Sequence, residues 1–266
     1  MKIEQAREVA SKALDHLAES LRQGQSEVLR NYLAAMGKFH RYSVSNILLI
    51  MTQRPDATHV AGYQTWRKLH RHVTRGAKGI MIFAPLVRRV VDANDCGIES
   101  RRESLVGYRA AVVFDVADTE GSPLPELSKF EGNPGEYLAR LKSLVTESGH
   151  SLEYSTSILP ALGQCSPGKI IVLPELSPAE EFHVLTHELA HSRLHFSARR
   201  AETTKRIRET EAEAVAFVVS QAIGLGTNSA SSDYLKLYND DENTLAHSLG
   251  HIQQVSTEIL SGIMPP

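Results

Sequence analysis

The sequence predicts an α/β (α+β) protein with two domains. The chain has 266 residues, whereas a single domain commonly has about 150. Helical periods alternate with short β-branched runs along its length. Residues 1–126 carry 18 basic and 14 acidic side chains, and residues 127–266 carry 11 and 17, so the two halves differ in charge. The Pro- and Gly-rich stretch 118–134 predicts a boundary that gives domains at 1–125 and 126–266.

The composition is that of an ordinary globular protein. Apolar residues make up 42% and charged residues 23%, which excludes a disordered chain, a collagen and a disulfide-rich miniprotein. Cys96 and Cys165 have no CxxC spacing, so we expect no cysteine zinc site and a reducing, cytoplasmic location. The N-terminus is polar, and no apolar run approaches the roughly 20 residues of a membrane span. We therefore expect neither a secretory signal nor membrane insertion.

The N-terminal half combines helices with one hairpin. Apolar residues spaced by four, from Val9 to Leu21, predict helix over about the first 35 residues, with an interruption at Gln23–Gln25. The further predicted elements are helices at 43–52 and 63–70, a basic loop at 75–79, strands at 80–85 and 109–116, and a polar hairpin tip at 92–102.

The C-terminal half is mainly helical. The segment Ser177–Glu180 supplies an N-cap serine, a proline at the first helical position and a glutamate at the third, so a long helix begins there. The predicted elements are helices at 136–148, 177–196, 204–223 and 241–262, and strands at 151–154 and 169–173.

A metal-binding pattern lies inside the long helix. His187 and His191 stand at i and i+4 of an HExxH segment, so both imidazoles lie on one helix face and can reach one Zn²⁺. Glu188 is rotated by about 100° from His187 and can act on a water as a general base. Because Zn²⁺ lowers the pKa of water toward about 7, this pattern predicts a catalytic zinc centre.

A catalytic zinc site needs a third protein ligand. His195 lies about 12 Å along the helix axis from His187 and cannot join both histidines at one ion, so we expect it at the helix end or behind the ligands. The alanine-rich segment that follows offers Glu209, Glu211 and Glu213. Glu209 and Glu213 share one helix face, and Glu211 points elsewhere.

The two motifs together resemble the ImmA/IrrE-type HExxH metallopeptidases. The resemblance covers about residues 134–225 and combines His187–His195 with the run Glu211–Phe217. It implies a zincin-like domain in which the glutamate four residues before the aromatic is the third ligand, and that position is Glu213. The implied reaction is hydrolysis of peptide bonds in an intracellular protein or peptide substrate.

Other parts of such a site are less specific. An oxyanion-stabilising hydrogen bond could come from a tyrosine or histidine, the candidates being Tyr154, Tyr234, Tyr238 and His251, each of which packing explains equally well. The strand 169–173 precedes the zinc helix. It is either an edge strand that binds an extended peptide or an ordinary core strand.

A strongly basic window lies in the N-terminal half. Residues 38–89 contain ten basic residues and one acid, Asp56. The cationic residues alternate with aromatic ones, as in proteins that bind single-stranded nucleic acid through phosphate contacts and base stacking. Trp66 is the only tryptophan. By composition alone, a core tryptophan with a solvated basic face is equally compatible.

The amino-acid sequence of this window resembles the N-terminal single-stranded-DNA-binding domain of ArdC-type antirestriction proteins. Three segments carry the resemblance: Tyr42–Ile50, Gly62–Trp66 and Val73–Gly79. It implies a small mixed α/β domain that binds single-stranded DNA, followed by a metallopeptidase-like domain. The residues we expect to contact DNA are Arg41, Tyr42, Asn46, Tyr63, Trp66, Arg67, Lys68, Arg75 and Lys78.

These features together predict a zinc-dependent metalloendopeptidase fused to a single-stranded-DNA-binding domain. Zinc would be held by His187, His191 and Glu213, with Glu188 as the catalytic base. The main alternative is a DNA-binding antirestriction or DNA-protecting protein whose metal site is structural or vestigial. A third possibility is a regulator whose protease acts only on one repressor partner.

Overall fold

The computed structural model describes residues 3–93, 99–123, 132–196, 199–226 and 242–264. It confirms the α+β class. In chain order, the elements are α1 (Ile3–Arg22), α2 (Ser26–Lys38), α3 (Val44–Gln53), β1 (Val60–Gly62), α4 (Tyr63–Lys68), β2 (Arg71–Val73), β3 (Ile80–Ala93), β4 (Glu99–Asp115), β5 (Thr119–Gly121), α5 (Glu136–Glu147), β6 (Ser151–Tyr154), β7 (Gly163–Ser166), β8 (Lys169–Val172), α6 (Pro178–His195), α7 (Arg199–Glu202), α8 (Lys205–Ala222) and α9 (Glu242–Ile263).

The chain forms two compact units, each built from separate stretches of sequence. Unit 1 contains Met1–Ala13 and Leu48–Leu124, and unit 2 contains Leu14–Ile47 and Pro125–Pro266. These units differ from the ranges 1–125 and 126–266 over residues 14–47. Among the helices in the described ranges, none has the length and apolarity to cross a membrane.

Unit 1 is built around a three-stranded antiparallel sheet in the order β1-β4-β3, with a separate β2-β5 pair. One face of the sheet is covered by the first turns of α1, where Ala6 and Ala10 pack with Leu49, Met81 and Phe83. The side-chain amide of Gln53 donates to Met81 O and accepts from Met81 N, both at 2.9 Å. The end of α3 is thereby fixed to β3.

The β3–β4 hairpin is longer than the sequence pattern predicts. The strands pair from Ile80 opposite Val113 to Ala93 opposite Glu99, with a bulge at Leu86/Val87. The sequence predicts strands only at 80–85 and 109–116, because the segments between them show no regular alternation of polar and apolar residues. In the structure, hydrogen bonds between the two strands extend both of them, and a local sequence pattern does not reveal such pairing. The middle of the predicted tip, including Cys96, lies outside the described residues.

Unit 2 combines a helical layer with a small mixed sheet. The sheet order is β6-β8-β7, with β6 parallel and β7 antiparallel to the central β8. Helix α2 packs closely on α8, where a Cβ atom added at Gly37 would lie 2.9 Å from Val218 O. Helix α9 contacts the loop after α2, since Thr257 Oγ1 donates to His40 O at 2.6 Å. The two helices that carry the sequence-predicted metal site, α6 and α8, belong to this unit.

Candidate functional site

The helix that carries the HExxH segment is held at its N-terminus by the predicted cap. Ser177 Oγ accepts a hydrogen bond from Glu180 N at 3.3 Å, and Glu180 Oε2 accepts one from Ser177 N at 2.9 Å. Phe182, Leu185 and Leu189 are completely buried along one side of α6. This packing fixes the rotation of α6 about its axis and so directs His187 and His191 toward α8.

Three side chains converge as expected of a metal centre. The Nε2 atoms of His187 and His191 lie 3.1 Å apart, and Glu209 Oε2 lies 3.7 Å from the first and 3.4 Å from the second. Bonds of about 2.0–2.2 Å at tetrahedral angles place ligand atoms about 3.3–3.6 Å apart. The three donor atoms therefore fit one divalent ion and leave a coordination position open.

Glu213, the third ligand implied by the resemblance, occupies a different place. Its Oε2 atom lies 3.3 Å from His187 Nδ1 and 3.1 Å from His183 Nε2. It therefore contacts the ring nitrogen of His187 that faces away from His191 and Glu209. His183 continues the series 187, 191, 195 toward the N-terminus, a spacing of four that sequence reasoning could have noticed.

Opposing effects set the pKa values of these groups. Burial lowers the pKa of His187, but hydrogen bonds with Glu209 and Glu213 and the charge of Glu188 raise it to about 9. Hydrogen bonds with His187 and His191 hold the pKa of Glu209 well below its usual range. The pKa of Glu213 is also lowered, because its hydrogen bonds with His183 and His187 outweigh burial.

Glu188 lies on the side of α6 that faces β7. Its residue is 8% exposed, and burial raises the pKa of its carboxyl group. A Cβ atom added at Gly163 would lie 2.6 Å from Glu188 Oε1. The absent side chain at Gly163 therefore leaves the space that this carboxylate occupies. Burial, together with the charge of Glu188, raises the pKa of the Cys165 thiol to about 12.

A buried network lies behind His191. His195 Nδ1 lies 3.1 Å from His191 Nδ1, and His195 Nε2 lies 3.0 Å from Glu211 Oε2. Glu211 is completely buried and also accepts hydrogen bonds from Arg199 and Ser248. Burial alone would raise the pKa of Glu211, but these hydrogen bonds lower it to about 2. Sequence reasoning placed His195 and Glu211 away from the ion, but it missed Arg199 and Ser248, which carry no local signal.

The structure also describes two of the candidate oxyanion-stabilising residues and the strand predicted at 169–173. Tyr154 Oη donates to Glu181 Oε1 at 2.5 Å on an exposed surface. His251 lies on α9, where burial and the charge of Arg199 lower its pKa. Tyr234 and Tyr238 lie outside the described residues. The strand predicted at 169–173 is the central β8, hydrogen-bonded on both sides, so it is a core strand and not the edge strand.

Five of the predicted DNA-contacting residues are exposed in unit 1. They are Tyr63, Arg67, Lys68, Arg75 and Lys78. The structure corrects the expectation for Trp66, which is 2% exposed and whose Nε1–H donates to Phe114 O at 3.0 Å. Its indole is part of the core of unit 1, so in this fold it does not stack on a base.

The other three predicted contacts belong to unit 2. Arg41 is exposed, whereas Asn46 is only 7% exposed in the first turn of α3. Tyr42 is half-buried, with its ring edge-on to Phe39 at 6.5 Å between centroids, and burial raises its pKa. Two of these three side chains therefore have packing roles in this structure.

Comparison with known proteins supports the resemblance of the N-terminal region. Residues 6–114 match a family model described as the N-terminal domain of anti-restriction factor ArdC. An uncharacterized protein of Bacillus anthracis is 24% identical over an alignment of 274 positions, which covers 87% of this chain and 46% of the relative. The chain thus spans about half the length of that relative.

Two solved structures of the antirestriction ArdC protein from the R388 plasmid are also similar. The metal-free structure has a TM-score of 0.49 and the Mn(II)-bound structure one of 0.46, both at 17% identity. The alignments cover 83% and 84% of this chain, and 84% and 88% of the solved chains.

Proposed function

We propose that this chain is an antirestriction-type protein that binds single-stranded DNA through unit 1. The observation that carries the proposal is the match of residues 6–114 to the ArdC N-terminal domain. The exposed cations support it. Within the described ranges, Arg67, Lys68, Arg75 and Lys78 form no ion pair, so their charges are available to phosphates. Tyr63, 48% exposed in the same helix as Arg67, offers a ring for base stacking.

Binding of a labelled single-stranded oligonucleotide of about 20 nucleotides tests this proposal. We expect Tyr63→Ala to weaken binding roughly 5- to 150-fold, because stacking contributes about 1–3 kcal/mol per base. Arg67→Ala should reduce the slope of log Kd against log salt by about 0.7. The matched control is Lys12→Ala, since Lys12 is already paired with Glu8 at 2.7 Å. Salt-independent binding, or equal loss in the control, would contradict the proposal.

A second candidate function is metal-dependent peptide hydrolysis in unit 2. The convergence of His187, His191 and Glu209, with Glu188 beside them, favours it. The two histidines would hold a divalent ion, for which we propose Zn²⁺, through their Nε2 atoms. The distances favour Glu209 as the third ligand, whereas the resemblance implies Glu213. When bound, zinc supplies Lewis acidity.

Glu188 would move the proton in this reaction. Burial raises the pKa of its carboxyl group above the usual range of a glutamate, which makes the carboxylate a stronger base toward water. Its position after His187, on a different side of the helix, keeps it out of the ligand set. The same carboxyl group would then deliver the proton to the leaving amine.

Metal content and peptide cleavage test this second function. We expect about one zinc per wild-type chain, loss of zinc in Glu209→Ala and retention in Glu213→Ala. The reverse pattern would support Glu213 as the ligand. Glu188→Gln should keep zinc and fold but lose cleavage of a mixed peptide library, read by mass spectrometry.

The alternatives to catalysis give different outcomes. If wild type binds zinc, cleaves nothing, and His187→Ala only lowers stability, the metal is structural. If wild type binds no metal, the centre is vestigial and DNA binding alone remains as the function.

A further inference from the structure

We propose that Glu211 and His195 are positioning residues that fix the orientation of His191 through a chain of hydrogen bonds. Glu211 sets the tautomer of His195, and His195 then accepts the Nδ1–H of His191, which directs His191 Nε2 to the ion. This inference rests on the proposed metal centre. It names residues that neither the HExxH pattern nor the third-ligand assignment includes.

The direction of each hydrogen bond follows from the distances. His191 Nε2 faces His187 Nε2 at 3.1 Å and Glu209 Oε2 at 3.4 Å, so this nitrogen is the ligand atom. A neutral imidazole that ligates through Nε2 carries its proton on Nδ1. His191 Nδ1 lies 3.1 Å from His195 Nδ1. Since only one of two facing nitrogens can carry the proton, His195 Nδ1 is the acceptor.

The tautomer of His195 leads in turn to Glu211. With Nδ1 as an acceptor, the proton of His195 lies on Nε2, which is 3.0 Å from Glu211 Oε2. An ionised carboxylate only accepts hydrogen bonds, so this contact can exist only with the proton on His195 Nε2. Glu211 therefore selects the tautomer of His195 that His191 requires.

Glu211 is itself held rigidly. Arg199 donates to it from both terminal nitrogens at 2.6 Å, and Ser248 Oγ donates to Oε1 at 2.6 Å. Together with His195 these donors come from α6, α7 and α9, while Glu211 belongs to α8. A completely buried carboxylate with this set of donors has one orientation, so it can transmit that orientation to the metal ligand.

The other ligand histidine has a different outer partner. His187 Nδ1 faces the carboxylate of Glu213 directly, at 3.3 Å. A direct carboxylate contact behind a ligand histidine is common at metal sites. Behind His191, by contrast, a second imidazole lies between ligand and carboxylate. We call the hydrogen-bonded chain Glu211–His195–His191 the relay, and replacement of His195 tests it specifically.

The test combines zinc affinity with ring-nitrogen NMR on the full-length chain. Zinc affinity is measured by competition with a chromophoric chelator. In ¹⁵N-histidine-labelled, zinc-loaded wild type we expect His195 as the Nε2–H tautomer. His195→Leu should weaken zinc binding about 10- to 100-fold. His195→Gln should stay close to wild type, because its amide oxygen can accept from His191 and its NH₂ group can donate to Glu211.

Ser256→Ala serves as the matched control, since Ser256 is completely buried in the same helix as Ser248 and its Oγ has no hydrogen-bond partner among the described residues, so we expect zinc affinity to be nearly unchanged. The proposal is overturned if His195 carries its proton on Nδ1, or if the Leu and Gln variants bind zinc equally well. Failure of wild type to bind zinc would instead overturn the metal centre itself, and the relay with it.

Discussion

At His187, two neighbouring carboxylates and the burial of the ring act in opposite directions. The hydrogen bonds with Glu209 and Glu213 prevail and raise the pKa of the imidazole to about 9. A metal ligand must be unprotonated, so zinc competes with a proton for this ring. The proton is bound below about pH 9 and absent above it, which fixes the sign of the pH dependence.

We therefore expect zinc affinity to increase as pH rises toward about 9 and to level off above that value. Chelator competition over a series of buffers from about pH 6 to about pH 10 measures this. His183→Ala, which removes a partner of Glu213 but no proposed ligand, is the control and should show the same trend. An affinity independent of pH in wild type would show that His187 does not bind the ion.

Single residues also show where sequence reasoning succeeds and where it stops. The pair His187 and His191 follows from the period of one helix, which is local information. Which glutamate meets that pair depends on how α8 is rotated against α6, and this is decided by packing over the whole unit. Trp66 illustrates the same limit, because composition cannot distinguish a tryptophan that packs inside from one that stacks on DNA.

Strand β7 is an element that the sequence analysis does not predict, and it packs against the candidate site. Its sequence, Gly163–Ser166, is short and polar and shows no alternation. It forms a strand because it pairs with β8, whose apolar side chains Ile170 and Val172 are completely buried. Pairing on one side leaves β7 at the edge of the sheet, next to Glu188. The predicted helices, by contrast, agree closely with the observed ones because their apolar periods are long.

We expect Gly163→Ala to damage the site through its contact with α6. The new Cβ atom would lie 2.6 Å from Glu188 Oε1 and 2.7 Å from Val184 Cγ1. Such overpacking typically lowers the free energy of unfolding by about 1–3 kcal/mol. Chemical denaturation measures this loss. If the wild type cleaves peptides, the variant should cleave them more slowly, because its Glu188 carboxylate is displaced.

Gly250→Ala is the matched control for this substitution. A Cβ atom at Gly250 in α9 would meet nothing within 4 Å, and alanine favours a helix. This variant should be as stable as wild type or more stable. Equal stability of the two alanine variants would mean that β7 does not press against Glu188.

For the molecule as a whole, the proposed ion connects helices α6 and α8 of unit 2. A ligand that binds only the folded state stabilises it by about 4 kcal/mol at a thousandfold excess over Kd. We expect zinc to raise the melting temperature of wild type by roughly 10 °C, since about 2–4 °C per kcal/mol is typical at this size. Differential scanning calorimetry with zinc and with a chelator measures the shift.

The variants define what this shift reports. Glu188→Gln should show the full shift, because Glu188 is not a proposed ligand, and His187→Ala should show none. An equal shift in His187→Ala would place the zinc elsewhere on the chain. No shift in wild type would show that zinc does not bind the folded protein.

Each unit is built from two separate segments of the chain, and this affects how the protein can be divided into fragments for expression. Helix α2 precedes most of unit 1 in the sequence, yet its buried residues Leu29, Leu33 and Met36 belong to unit 2, and at Gly37 its backbone approaches α8. A fragment cut after residue 125 would keep α2 but lose α8 and expose that apolar side to water. Such a fragment is at risk of aggregation for reasons unrelated to DNA binding. A fragment that joins residues 1–13 to 48–124 would contain unit 1 without α2, but it would cut within α1 and α3, because each of these helices contributes residues to both units.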